Sequence, residues 1–323
     1  MLKKISVIVV PTLIAVAILA LMLYSVWGDL LLTLSYIYPP FLFAATVICI
    51  VSLVLRGARY RYILQALGVG CSLLFSTACI FISQTANLIV PARLGDIVRL
   101  FILKHEKDVR YSKGFSSVVI ERLFDIISVA LLGVISLPFA VDVPDWFYTV
   151  IAIPLGGGLV FFILLVWLGR ISSDNRYIGI ILGMLDEVRE ASLNIPALAV
   201  LSLSSLVIWI TDVLVCLMIV MMFQVDIPFA TIVLAIVIGN LVKAVPLTPG
   251  GMGTYEVSLA LIFEMSGVAP ATAVLIAVID HLIKNLVTLV GGIASVYYFG
   301  GWTVSLVKKA LDWKMGGGDD AGD

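Results

Sequence analysis

The sequence has little charge and few of the side chains that metal sites need. Asp, Glu, Lys and Arg make up 13% of the 323 residues, whereas about a quarter is usual in soluble domains. Only two histidines occur, and the four cysteines lie singly in apolar runs without a C-x-x-C pair. We therefore predict no bound metal, no cofactor and no disulfide framework. The cysteines are Cys49, Cys71, Cys79 and Cys216.

Motifs of common enzyme families are also missing. The sequence contains no H-E-x-x-H, no G-x-S-x-G and no phosphate-cradling P-loop. Leu94-Gly95-Asp96 is only faintly similar to an intramembrane aspartyl site. We predict that the chain is not an enzyme and has no catalytic residue, and we expect no nucleic-acid partner.

Apolar residues, in contrast, dominate the chain. They make up 62% of it, the mean hydropathy is +1.16, and several runs approach the roughly 20 residues that cross a bilayer. We predict an all-α polytopic membrane protein with about six full transmembrane helices and two broken or re-entrant helical hairpins in inverted orientation. The predicted spans are about 5–27, 40–55, 114–138, 146–168, 196–223 and 269–299, and the hairpins are 63–103 and 228–267.

Positive charge sets the expected orientation, because cytoplasmic loops carry an excess of Lys and Arg. Lys3 and Lys4 precede the first run, and Arg56, Arg59 and Arg61 follow the second. We therefore predict a multi-pass protein of the plasma membrane with both termini and a 56–62 loop in the cytoplasm.

The remaining organisation is simple. We predict one integral-membrane domain over 1–304 and a short cytoplasmic tail over 305–323, disordered at its Gly- and Asp-rich end. The mixed segment 169–194 predicts an amphipathic helix on the cytoplasmic face. An ordinary solvated connector helix is an equally good interpretation of that segment.

The stretch 239–256 is the most informative part of the chain. An apolar run breaks over Pro249, Gly250, Gly251 and Gly253 and resumes as a helix. Such a break is tolerated at membrane depth where it is packed in protein or lines a polar cavity, and its backbone N–H groups favour anions.

Two ionisable residues flank this break. Lys243 is interpreted as a phosphate contact or as the partner of Glu256. Glu256 either satisfies the dipole of the new helix or carries a proton or cation. We predict a substrate site here, formed by these two residues and the glycines of the break.

The first hairpin carries a second charged motif. Arg93, Asp96 and Arg99 lie three residues apart and share one helical face, so the carboxylate can orient two guanidinium groups for a phosphate. The alternative is an interfacial helix whose arginines snorkel to the membrane surface.

The third predicted span is unusually charged. It contains Glu121, Arg122 and Asp125, which need partners inside a membrane. We expect those partners to be Arg93 or Arg99. A purely structural ion network is the other interpretation.

Further ionisable residues lie in the last spans and are candidates for coupling. Asp280 and Lys284 are four residues apart and suit an intrahelical pair, and His281 suits a titrating or hydrogen-bonded group. Asp212 is either a member of a network or a site residue.

A weak internal echo connects the two hairpins. Asn87-Leu88 precedes Val90-Pro91, and Asn240-Leu241 precedes Val245-Pro246, at different spacing. Inverted repeats with broken helices that meet near the midplane are a recurring transporter plan.

Three of these motifs resemble the membrane region of the lysylphosphatidylglycerol synthases, over about residues 5–300. They are Pro91-Ala92-Arg93-Leu94-Gly95-Asp96 with Arg99, Glu121-Arg122 with Asp125, and Pro249-Gly250-Gly251-Met252-Gly253 with Glu256. The resemblance implies lipid translocation, and relatives are linked to polyprenyl-phosphate or glycolipid handling, some fused to glycosyltransferases. This sequence contains neither a soluble aminoacyl-transferase domain nor a glycosyltransferase domain, so we expect the translocase alone.

The leading hypothesis is a flippase for an anionic-headgroup lipid, such as an aminoacyl or glycosyl phospholipid or a polyprenyl-phosphate-linked sugar. Arg93, Arg99 and Lys243 would hold the phosphate, and the acidic residues would pair with them in the empty state. The alternatives are a proton-coupled transporter of a small anionic solute and a membrane adaptor for a glycosyltransferase. Expected partners are membrane lipids and a separate lipid-modifying synthase or glycosyltransferase.

Overall fold

The computed structural model describes residues 16–24, 27–28, 38–89, 94–140, 144–168, 176–245, 248–300 and 302–303. Within these ranges the regular structure is helical, without a strand. Arg93, the start of the first predicted span and the predicted 305–323 tail lie outside the described residues.

A helical segment over 16–24 precedes the long helices of the described chain. The α-helices that follow are α1 Pro39–Ala66, α2 Leu73–Ile89, α3 Gly95–Lys107, α4 Tyr111–Ser136, α5 Trp146–Leu168, α6 Arg176–Ser192, α7 Ile195–Met222, α8 Phe229–Ala244, α9 Thr254–Met265 and α10 Pro270–Phe299. Short 3-10 turns cover Leu137–Phe139 and Pro249–Gly251.

Four of the described helices are long and apolar enough to cross a membrane, namely α1, α5, α7 and α10. Helix α4 is comparably long at 26 residues, but it carries the three charges of the predicted third span. Helices α2 and α8 are apolar but have only 17 and 16 residues, fewer than the roughly 20 that a crossing requires. The predicted all-α multi-pass membrane protein is confirmed.

The helices form two units with the same plan. In the first, α1 to α4 have 28, 17, 13 and 26 residues. In the second, α7 to α10 have 28, 16, 12 and 30 residues. Each unit therefore consists of a long helix, a broken pair of short helices and another long helix, with α5 and α6 between the units.

Packing between the units is reciprocal. Helices α1 and α7 pack against each other, α2 packs against α10 as α8 packs against α4, and α1 contacts α10 as α7 contacts α4. Reciprocal contacts of this kind indicate an approximate two-fold relation between the units.

The register of the repeat follows from the helix starts. Helices α1 and α7 start 156 residues apart (39 and 195), as do α2 and α8 (73 and 229), and α4 and α10 start 159 apart (111 and 270). The structure thus aligns Asn87 with Lys243 and Gln84 with Asn240. The echo noted in the sequence, Asn87 with Asn240, is out of register with this alignment.

One predicted boundary is wrong. The sequence predicts that the second span ends near residue 55 and that a cytoplasmic loop covers 56–62, but α1 continues to Ala66. Arg59 lies inside this helix and is 2% exposed. Its carboxylate partners come from α4, more than 60 residues along the chain, so local sequence did not reveal that its charge is compensated.

The first hairpin breaks later than its polar residues suggest. Helix α2 includes Ser83 through Asn87 and ends at Ile89, and α3 begins at Gly95. Gly95 donates its backbone N–H to Asn87 Oδ1 at 2.8 Å, and a Cβ there would collide with the carbonyl of Ser83. Glycine therefore allows α3 to start directly against α2.

The segment between the units contains a helix, as the 169–194 pattern predicts. Helix α6 packs against α4 and α5, with Val188 buried and Ile178, Ile180 and Ile181 about half exposed. The predicted location on a membrane surface stays a prediction.

Candidate functional site

A cluster of buried arginines and carboxylates lies within the first unit. Arg59 Nη1 donates to Asp125 Oδ1 at 2.6 Å and Nη2 to Oδ2 at 3.1 Å. The same guanidinium donates to Glu121 Oε1 at 3.3 Å and to Ser205 Oγ at 2.7 Å. This bidentate geometry explains how a full charge is accommodated in α1.

The remaining members of this cluster join α3 to α4. Arg99 Nη1 donates to Glu121 Oε2 at 2.6 Å, and its guanidinium lies 4.4 Å from the centre of the Tyr60 ring. Arg122 donates to Asp96 Oδ2 at 2.8 Å and to Oδ1 at 2.9 Å, while Arg99 is 3.5 Å from Asp96. Arg99 is thus a partner of Glu121, as expected.

A second cluster lies within the other unit. Asp280 Oδ2 accepts hydrogen bonds from Lys284 Nζ at 2.9 Å and from Tyr255 Oη at 2.7 Å. Lys284 Nζ is also 3.4 Å from Asp212 Oδ2, which Asn240 Nδ2 approaches at 3.4 Å. Asp212 is therefore a network member, and the predicted intrahelical pair of Asp280 and Lys284 is formed.

A chain of three ionisable residues runs beside this cluster. Glu256 Oε2 accepts the backbone N–H of Gly253 at 2.8 Å, which caps α9. Its Oε1 is 2.8 Å from His281 Nδ1, and His281 Nε2 is 3.2 Å from Lys243 Nζ. A charged lysine makes Nε2 the acceptor, so that Nδ1 donates to the carboxylate. His281 thus lies between Lys243 and Glu256, so direct pairing, one of the two interpretations of Lys243, is not seen.

Backbone geometry explains the glycines of the second break. Gly250, Gly251 and Gly253 have φ of 62°, 77° and 83°, in the left-handed region that favours glycine. A Cβ on Gly251 would lie 2.5 Å from Lys243 Cγ, and one on Gly250 would lie 2.9 Å from Leu88 Cδ2. The break therefore packs tightly against α2 and α8.

A cavity of about 240 Å³ lies between the two units. Six charged side chains line it: Arg56, Arg122, Asp125, Lys243, Asp212 and Lys284. Four of them are cationic and two are carboxylates, and both carboxylates already bind a cation in one of the clusters. Gly250 and Gly251 also line the cavity.

Other predicted site residues stand behind this wall. Seven of them are within the described residues but do not line the cavity: Asp96, Arg99, Glu121, Gly253, Glu256, Asp280 and His281. They orient the residues that do: Asp96 holds Arg122, Asp280 holds Lys284, and His281 contacts Lys243.

The cavity walls follow the repeat. In the register of the helix starts, the lining pairs are Leu53 with Trp209, Arg56 with Asp212, Gln84 with Asn240, Asn87 with Lys243, Leu88 with Ala244, Asp125 with Lys284, Ile126 with Asn285 and Val129 with Thr288. The cavity therefore lies where the two units face each other through equivalent positions.

Sequence reasoning missed several residues of this region, among them Arg56, Arg59 and Trp209. Arg56 and Arg59 were assigned to a loop, and Trp209 was not considered. Trp209 donates its indole N–H to Asp125 Oδ1 at 3.1 Å, and the Arg56 guanidinium lies 5.2 Å from its ring centre. The sequence signal that could have placed Arg56 in the site is its alignment with Asp212, 156 residues further along the chain.

Charges at the end of α3 behave differently. Lys104 Nζ donates to Asp108 at 2.6 Å, and both side chains are exposed to solvent. The hydrogen bond and positive charge of Lys104 hold the pKa of Asp108 below its usual value. Among the described residues no three His, Cys, Asp or Glu side chains form a cluster that could hold a metal ion.

The family model described as "Lysylphosphatidylglycerol synthase TM region" matches residues 8–292 of the sequence. The chain belongs to the lysylphosphatidylglycerol synthase transmembrane family. The resemblance found in the sequence motifs is confirmed, and the family region includes both clusters and the cavity.

Relatives of this family member include a protein of Haloferax volcanii named glycosyltransferase AglD, which is 34% identical over 89% of this chain. The alignment covers 54% of that protein, so the chain spans about half of its length. UPF0104 membrane proteins of Methanocaldococcus jannaschii and Pyrococcus horikoshii are 27% and 25% identical over 61% and 78% of the chain, and over 87% and 85% of their own lengths.

The Haloferax relative corrects one prediction. We predicted from missing motifs that the chain is not an enzyme, and a relative named a glycosyltransferase contradicts this. Absence of a few well-known motifs is a weak argument, because unrelated chemistries use different residues and arrangements.

Proposed function

We propose that the chain translocates a lipid with an anionic headgroup between the two leaflets of a membrane. The observation that carries this proposal is the buried cavity, with four cationic side chains and two carboxylates on its wall. An anionic headgroup entering it meets more cations than carboxylates among the side chains of the wall. The backbone N–H groups of Gly251, Met252 and Gly253 are already hydrogen-bonded within the break, so the side chains carry the proposal.

The clusters behind the wall support this proposal energetically. Removing one partner from a buried ion pair costs about 3–5 kcal/mol, so a cavity with many bare charges would destabilise the empty protein. Here Arg59 pairs with Asp125, and Lys284 lies within 4 Å of both Asp212 and Asp280. Each carboxylate of the wall thus has a cationic partner in the empty protein.

The repeat supports a mechanism of alternating access. If each short hairpin enters and leaves from the same face, and α4 and α5 each cross once, α7 runs opposite to α1. The two units would then be inverted repeats that meet at a shared site, with one hairpin opening to each leaflet. We propose six crossings, both termini in the cytoplasm and a plasma-membrane location on this basis and on the predicted positive-inside charge.

Within the cavity, Lys243 and Arg122 are proposed phosphate contacts. Arg99 and Glu121 act behind them, since both are buried in an ion pair off the wall. Arg93, which lies outside the described residues, stays a predicted contact from the preceding break.

The name of the Haloferax relative favours a lipid-linked sugar as cargo. A second candidate function follows from it: the cavity presents such a lipid to glycosyl transfer, within this chain or by a separate partner. Both candidates require the same headgroup site, and only the first requires movement between leaflets.

Reconstituted liposomes test the proposal. We expect the chain to accelerate the transbilayer movement of fluorescent phosphatidylglycerol, and Lys243→Gln to slow it about tenfold because a charge-assisted contact is lost. Lys104→Gln, an exposed lysine outside the cavity, serves as the matched control and is expected to leave the rate unchanged. No acceleration by the wild-type protein, with tight lipid binding retained, would refute translocation and leave the presentation role.

A further inference from the structure

Arg56 is the cavity arginine that forms no direct ion pair among the described residues, although its charge acts on Asp125 and Asp212. It lies in α1, three residues before Arg59, which is paired with two carboxylates, and is half-buried at the cavity wall. Within the described residues it forms no ion pair shorter than 4 Å, and its guanidinium lies over the Trp209 ring, 5.2 Å from the ring centre. Its guanidinium therefore has donors available to a ligand.

The repeat explains why Arg56 is available. Its counterpart Asp212 pairs with Lys284 in the second unit, and the equivalent pair in the first unit would join Arg56 to Asp125. Arg59 binds Asp125 instead, whereas the counterpart of Arg59 is the apolar Val215. An added arginine thus removes the carboxylate that Arg56 would otherwise bind.

Trp209 holds the free guanidinium in place. Its indole N–H is fixed on Asp125 at 3.1 Å, and its ring presents a face to the Arg56 cation. Stacking of this kind restricts a guanidinium without using its N–H donors. A planar fork held over an aromatic ring is suited to bidentate contact with a phosphate.

The rest of the wall indicates which headgroup accompanies the phosphate. Both carboxylates of the wall are already paired with cations, so an ammonium group would find no free carboxylate to pair with. Gln84 and Asn285 line the cavity and form no hydrogen bond within the described residues. Their amides can donate to and accept from hydroxyl groups.

We propose that Arg56, seated on Trp209, binds the phosphate of a headgroup that carries hydroxyl groups and no ammonium. This inference rests on the proposed lipid site and narrows its ligand to a glycerol- or sugar-type phosphodiester. It adds to Lys243 and Arg122 a phosphate contact that none of the sequence motifs includes.

Native mass spectrometry of the purified chain with equal amounts of phosphatidylglycerol and phosphatidylethanolamine tests the assignment. The wild type is expected to retain the hydroxyl-bearing lipid about tenfold more than the amine-bearing one, and Arg56→Gln to lower the retention of both lipids about tenfold, because both carry the phosphate. Arg61→Gln, an exposed arginine on the same helix, is the matched control and is expected to retain both lipids as the wild type does. Equal retention of both lipids by the wild type would overturn the proposal, as would unchanged phosphatidylglycerol retention in Arg56→Gln.

A second variant keeps the test decisive if Arg56→Gln folds poorly. Arg56→Lys keeps the positive charge but loses the planar fork of donors, and is expected to lower phosphatidylglycerol retention because the bidentate phosphate contact is lost. Phosphatidylinositol, whose headgroup is a hydroxyl-rich ring, is expected to follow phosphatidylglycerol in each variant. Full retention in Arg56→Lys would contradict bidentate binding of the phosphate by the Arg56 guanidinium.

The binding assay and the transport assay test different claims, so a negative result in one does not decide the other. Selective binding through Arg56 without transbilayer movement would refute translocation but uphold this site. Normal movement of fluorescent phosphatidylglycerol in Arg56→Gln would uphold translocation and refute the role of Arg56.

Discussion

The two four-helix units share a plan but use charge in opposite ways. At equivalent positions the first unit has Arg56 and Asp125, and the second has Asp212 and Lys284. In the second unit the pair is closed at 3.4 Å, whereas in the first Arg59 has taken the carboxylate at 2.6 Å. The same backbone framework thus holds a closed ion pair in the second unit, whereas Arg56 of the first unit forms no direct ion pair among the described residues.

The largest effect is expected from removing Arg59, the residue that makes the charge pairing of the two units differ. Arg59→Ala leaves Asp125 buried without its bidentate partner, and we expect the free energy of unfolding to fall by about 3–5 kcal/mol. Thermal unfolding in detergent measures the change. Arg61→Ala, at an exposed position two residues away, is expected to stay within about 0.5 kcal/mol of wild type. A loss in Arg59→Ala as small as that expected for Arg61→Ala would show that the buried pair contributes little to stability.

A smaller effect is expected at the second break. Gly251→Ala forces a positive φ on an alanine and brings a Cβ to 2.5 Å from Lys243 Cγ; we expect a loss of about 1–3 kcal/mol of stability together with slower lipid movement. Gly157→Ala is the matched control, because nothing lies within 4 Å of its added Cβ in α5.

The control is expected to change stability in the other direction. Alanine is favoured over glycine inside a helix by about 0.5–1 kcal/mol, so Gly157→Ala should unfold at a slightly higher temperature. Equal behaviour of the two glycine variants would contradict the tight packing of the break against α8.

Much of the fold was predictable because hydropathy and breaker residues act locally. The bounds of α5 and α10 and the break at Pro249 follow from apolar run length and from proline and glycine. Arg59 was misplaced because an arginine in an apolar run indicates a loop unless its distant partners are known. The repeat was suggested in the sequence only by an echo that is out of register, since it preserves helix lengths and register more than residue identity.

The site was predictable in composition but not in arrangement. Most of the charged residues singled out in the sequence belong to the two clusters, yet Arg99, Glu121 and Glu256 stand behind the cavity wall. Pairing choices such as Asp125 with Arg59, or His281 between Lys243 and Glu256, depend on contacts between distant helices. Spacing within a single helix reveals only which side chains share a face.

Thiol labelling tests the central claim that the two units enclose a hydrophilic chamber inside the bilayer. A membrane-impermeant, thiolate-specific reagent would be applied to liposomes of a variant without native cysteines, carrying either Asn285→Cys in the cavity or Leu282→Cys on the exposed apolar surface of α10. The account predicts rapid labelling at 285, slowed by phosphatidylglycerol, and no labelling at 282, because thiolates form in water and not in lipid. An unreactive 285, or equal labelling at both positions, would contradict it.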